Sequence, residues 1–141
     1  MENKKIKSFK DLDVYGSSYE AAIKVVMQIV PRLPKEEQYD LADQLRRSAK
    51  AVPRLIAEGY AKRHQNKGFQ KYLDDALAES NETQVSLEQC KDIYGKYLDG
   101  SLCTQLVETY DKISRQLYNL NVAWNNFYNA RNRYTKPLRH F

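Results

Sequence analysis

The chain has 141 residues, 29% of them charged, with a formal net charge of +5 and a pI near 9.1. That length supports one domain with its own core, and no apolar run approaches the roughly 18 residues needed to cross a bilayer. The start, MENKKIKSF, lacks the apolar stretch and small-residue cleavage site of a secretory signal, so a cytoplasmic location is expected.

Residues 1–7 read as a flexible, lysine-rich N-terminus. Ser8 with Asp11 three positions on fits a capping box that opens a first helix. Leu12, Tyr15, Tyr19, Ile23, Val26 and Val30 recur at helical spacing and predict the core-facing stripe, which Pro31 and Pro34 end. Val14, Val25 and Ile29 fall off that stripe and predict a second apolar face.

A second helix is predicted from near Lys35, with Glu36 and Glu37 in its first turn, to about His64. Leu41, Leu45, Ala49, Val52, Ile56 and Gly59 form its stripe. Pro53 either separates two helices or kinks one, and the unbroken phase of the stripe favours the kink. From Arg46 to Lys71 the cations are Arg46, Arg47, Lys50, Arg54, Lys62, Arg63, Lys67 and Lys71, against one acid, Glu58. Glu58 lies between Ala57 and Gly59, which predicts a crowded helix contact with Arg54 as its partner.

After a turn over Gln65 to Gly68, a third helix carries Phe69, Leu73, Ala76, Ser80, Thr83, Leu87, Cys90 and Tyr94 in alternate steps of four and three, a heptad seam. Ser80 and Thr83 permit close approach if their hydroxyls bond back to the helix. Gly100 is expected to end this element. A fourth helix runs from Leu102 through Leu106, Tyr110, Ile113, Leu117, Leu120 and Trp124 to Phe127 and frays near Tyr134; Val107, Val122 and Tyr128 lie off its stripe. Pro137 is expected to forbid helix in a basic tail over residues 135–141, where Arg139 joins Arg131, Arg133 and Lys136. The prediction is an all-α, antiparallel up-down four-helix bundle over residues 8–134 with a proline-kinked second helix.

Catalysis finds no support in the residues. The chain has no phosphate-cradling glycine loop, no nucleophile elbow and no paired metal-ligand histidines. Asp74, Asp75, Glu79 and Glu82 lack the Glu-x-x-His pairs of a di-iron bundle. Cys90 and Cys103 read as structural thiols, and His64 and His140 are far apart. No enzyme, cofactor, metal or small-molecule substrate is expected.

The basic segment admits two readings. Folded back on the third helix, Lys50 falls level with Glu82, Arg54 with Ala78 and Glu79, and Glu58 with Asp74, so charge could be neutralised internally. Alternatively, unpaired cations meet RNA or DNA phosphates. The aromatic residues Tyr118, Trp124, Phe127, Tyr128 and Tyr134 read first as subunit contacts and second as base-stacking platforms. Two apolar faces per helix predict a homo-oligomer. A protein scaffold that docks an acidic partner, with no nucleic-acid role, is the alternative function.

QLRRSAKAVPRLIAEGYAKR, from Gln44 to Arg63, followed by FQKYLDDALAESNETQVSLE from Phe69 and preceded by SFKDLDVY from Ser8, resembles the bacterial four-helix bundle family encoded in 23S ribosomal RNA intervening sequences. The likeness spans about Ser8 to Leu117, with Leu55 where an asparagine is frequent and Glu79 where a glycine is frequent. It implies ring-like homo-oligomers, with a pentamer preferred, and a related branch that works with RNA and a reverse transcriptase in diversity-generating retroelements.

Overall fold

A computed structural model of the protein describes residues 5–139, with side chains through Arg131. Four helices account for most of them, and the described residues contain no strand: α1 (Asp13–Lys24), α2 (Leu41–Ala61), α3 (Gly68–Tyr94) and α4 (Gly100–Arg139). Residues 1–4, 140 and 141, with the expectations placed on them, lie outside the described residues.

Ser8 and Asp11 form the capping box, but it caps a 3₁₀ turn over Phe9–Asp11, and α1 proper starts at Asp13. The Asp11 carboxylate accepts from the Ser8 amide at 3.1 Å and the Lys7 amide at 2.8 Å. A π turn over Val25–Ile29 continues α1, and a 3₁₀ turn over Val30–Arg32 ends it at the prolines. The second helix starts later than expected. Lys35–Glu37 is a 3₁₀ turn, and Asp40 has a non-helical backbone (φ −124°, ψ −105°), so α2 begins only at Leu41. Glu37 therefore sits before the helix: its carboxylate accepts from the Leu41 amide at 3.2 Å and from the Tyr94 hydroxyl, which ties the loop to the end of α3. Pro53 lies inside an uninterrupted α2, so the reading that separates two helices there is excluded.

Gly100 corrects its expected role. α3 ends at Tyr94, and Gly100 is the first residue of α4, where the Asp99 carboxylate accepts from the Leu102 amide at 3.1 Å. The helical backbone of α4 passes Tyr134 and Pro137 to Arg139. A proline removes only its own amide and crowds one carbonyl, which bends or weakens a helix without obliging it to stop.

The core follows the expected seams in three helices. All six stripe residues of α2 are buried, as is every seam residue of α3 except the half-buried Tyr94. In α4, Leu106, Tyr110, Ile113 and Leu117 are buried, whereas Phe127 is exposed. Full burial of side chains such as Phe69, Leu73 and Leu87 contributes about 1.5–3 kcal/mol each. Polar bonds set the alignment: Thr83 Oγ1 lies 2.8 Å from both the Glu79 carbonyl and the Ser48 hydroxyl, and Ser80 donates to the Tyr110 carbonyl at 3.2 Å. Thr83 thus bonds back to its helix as expected, while Ser80 bonds across to the next.

In α1 the expected stripe is split: Leu12, Tyr15 and Val30 are partly buried against the core, whereas Tyr19 and Ile23 turn outward. Val14, Ser18, Ala21, Ala22, Val25 and Ile29 are buried, whereas Tyr19, Ile23 and Met27 are 51%, 50% and 68% exposed. Small residues allow α1 to approach α2 and α4 closely, and the Ser18 hydroxyl is satisfied by the Tyr15 carbonyl at 3.0 Å. Tyr19, with a polar tip that favours water, takes the outer face.

Candidate nucleic-acid interface

The eight cations divide among three places. Arg46 and Arg47 both reach Asp43 within their own helix, at 3.1 and 3.5 Å. Arg47 also lines a polar groove with Gln44, Ser48, Glu79 and Glu82. Burial, reinforced by the Glu82 charge, pushes the Glu79 carboxyl above its ordinary range, while Arg47 opposes the shift. Lys50 and Arg54 point elsewhere, to the rim of a groove between α1 and α2. Cross-helix ion pairs of α2 with α3 do not form among the described residues, although Ser48 meets Thr83 close to the expected alignment. Hydroxyls and small residues occupy the contact line, so the charges stand to either side of it. Glu58 is exposed and makes no ion pair with Arg54, contrary to expectation, because the crowding falls on its neighbour Gly59.

The remaining four, Lys62, Arg63, Lys67 and Lys71, gather where α2 turns into α3. This turn is tightly built. Lys67 adopts a left-handed conformation (φ 56°), and a Cβ on Gly68 would stand 2.1 Å from the Lys62 carbonyl oxygen. The Lys62 ammonium donates to the Tyr72 hydroxyl at 2.7 Å and lies 5.0 Å from its ring centre; that bond raises the Lys62 pKa. The Arg63 guanidinium stacks 4.0 Å from the Tyr60 ring centre and donates to the Tyr60 carbonyl at 2.9 Å. Lys67 and Lys71 are exposed.

Tertiary packing adds an aromatic chain to these cations. Tyr60 meets Phe69 edge-on at 6.0 Å, Phe69 meets Trp124 at 5.1 Å, and Trp124 meets Phe127 at 5.7 Å. Trp124 thereby brings the C-terminal part of α4 to the α2–α3 turn. From there α4 continues through the backbone of Arg131, Arg133, Lys136 and Arg139, so both basic segments of the chain leave from one end of the molecule. Side chains beyond Arg131, including Tyr134, lie outside the described residues. Tyr118 is exposed and Tyr128 half-buried. The convergence escaped sequence reading because it depends on which residue of α4 lies level with Phe69; the shared seam period of α3 and α4 was the available signal.

Among the described residues no group of three or more His, Cys, Asp or Glu could hold a metal ion, and no helix is long and apolar enough to cross a membrane. Cys90 and Cys103 are buried free thiols; burial pushes Cys90 up to about 12 and raises Cys103 as well. A thiol held protonated is a poor nucleophile and a poor ligand.

The family model described as 23S rRNA-intervening sequence protein matches residues 10–119. No curated protein matches the chain.

Proposed function

The chain belongs to the 23S rRNA-intervening sequence protein family, and from that premise we propose that it is a non-catalytic, self-associating bundle that contacts nucleic-acid phosphates at its α2–α3 end. The observation that carries this reading is that Lys62, Arg63, Lys67 and Lys71 flank the turn whose Tyr60–Phe69–Trp124–Phe127 ring chain also holds the part of α4 that continues into its basic last turns. Cations that track a phosphate backbone beside an exposed ring are the combination that holds single strands without reading sequence, and of these four rings Phe127 is the exposed one. The antiparallel up-down arrangement belongs to this proposal. It is supported by cross-helix bonds in which rising numbers on α3 meet falling numbers on α4: Asp74 with Asn121, Ser80 with Ser114, Lys91 with Thr104. A bend at Pro53, which cannot donate to the Ala49 carbonyl, is proposed with it.

Self-association is supported by Tyr118 and Val122, apolar residues one turn apart that α4 leaves exposed. Light scattering at micromolar concentration is expected to report more than the 16.5 kDa of one chain, and a monomer overturns that half.

Fluorescence anisotropy with a labelled single-stranded RNA tests the phosphate contact. Four cations on single-stranded phosphates contribute roughly −3 to the slope of log affinity on log salt, a contribution that is lost when Lys62, Arg63, Lys67 and Lys71 are all changed to Gln. No affinity for RNA or DNA at low salt would refute the reading.

A further inference from the structure

The groove between α1 and α2 is separate from the α2–α3 end and has a different character. It encloses about 340 Å³, and its walls include Tyr15, Tyr19, Ile23 and Pro53, with Lys50 and Arg54 at the edge. The outward turn of Tyr19 and Ile23 creates it, since these larger residues remain half exposed above the small ones that pack inward. Lys50 and Arg54 stand one helical turn apart and make no ion pair among the described residues. An apolar trough with two unneutralised cations along one wall calls for an occupant that is apolar on one side and negatively charged beside it.

We propose that this groove docks an amphipathic α-helix of a protein partner, one that presents a row of large apolar residues flanked by carboxylates one turn apart. Charge complementarity with Lys50 and Arg54 fixes the sign of the flank, and their spacing matches acids at i and i+4 on a helix. An extended peptide is the poorer fit: the described residues offer no sheet edge, so its backbone amides and carbonyls would be desolvated without partners, whereas a helix arrives with its own satisfied. Single-stranded nucleic acid is also the poorer fit. Tyr15 is engaged edge-on by Phe9 at 4.8 Å, which leaves Tyr19 as the ring most open to a base, and two cations neutralise few phosphates.

The probe is a fluorescein-labelled helical peptide of about 18 residues, long enough to hold its turns, with leucines at i, i+4, i+7 and i+11 and glutamates beside them. Saturable binding to the full-length protein is expected, weakened at least about tenfold by Ile23→Asp, which places a charge where an apolar anchor must seat. The double change Lys50→Glu with Arg54→Glu should weaken the acidic peptide and restore binding to a version carrying lysines in place of the glutamates. That restoration requires a folded groove, so misfolding cannot imitate it. The proposal is overturned if the peptide fails to saturate by about 1 mM, or if Ile23→Asp leaves its affinity unchanged. It is overturned equally if Ile23→Asp dissociates the protein in light scattering, which makes a second copy of the chain the occupant, or if single-stranded RNA displaces the peptide and loses its own binding in the Lys50/Arg54 variant.

Discussion

The α2–α3 pair and α1 share one fold and attach to it in different ways. Between α2 and α3 the backbones approach until a Cβ on Gly59 would stand 2.6 Å from Tyr72 Cβ, and the Ser48 and Thr83 hydroxyls meet in the buried contact. α1 rests on α2 and α4 through valines, alanines and a serine and leaves Tyr19 and Ile23 outside. A seam that admits one alignment specifies itself through fit and satisfied polar groups; a helix with apolar residues on two faces leaves the choice of inner face to its neighbours.

Substitutions that sharpen this contrast have effects of graded size. Leu73→Ala, in the fully buried part of the α3 seam, is expected to cost about 2–5 kcal/mol in urea unfolding, because the removed methyl groups leave a cavity. Gly59→Ala comes next: its new methyl meets Tyr72 Cβ and Phe69 Cδ1, and overpacking of this kind costs about 1–3 kcal/mol. Thr83→Val keeps the shape but deletes the bonds to the Glu79 carbonyl and the Ser48 hydroxyl, for an expected loss of about 1 kcal/mol. Ile23→Ser on the outer face of α1 should move the midpoint by no more than about 0.5 kcal/mol. If Ile23→Ser proves as costly as Leu73→Ala, the outer face of α1 is covered in solution and the contrast fails.

Legibility in the sequence followed the same division. The α3 seam was readable residue by residue, because an alternation of four and three steps points one way only and Phe69 to Cys90 are buried as expected. The capping box at Ser8 was readable as well, since it depends on four consecutive residues; the 3₁₀ turn that it caps was not. In α1, two interleaved stripes carry similar hydropathy. Side-chain size, with Ser18, Ala21 and Ala22 able to lie against a neighbouring backbone, decided between them, and periodicity does not record size. The eight cations were identified, but their division among Asp43, the α1–α2 groove and the α2–α3 end was not, since it depends on the rotation of α2 about its axis.

By itself the sequence determined four helices, the inner faces of α2, α3 and α4, and membership of the family, because apolar period, turn residues and motif blocks are local properties of a chain. Only the tertiary structure decided which face of α1 turns inward, that Trp124 seats on Phe69, and that the basic turn of α2–α3 therefore leaves from the same end as the last turns of α4. These outcomes rest on contacts between residues of different helices, far apart in the chain, where steric fit and the satisfaction of buried polar groups choose among arrangements that local pattern leaves equivalent.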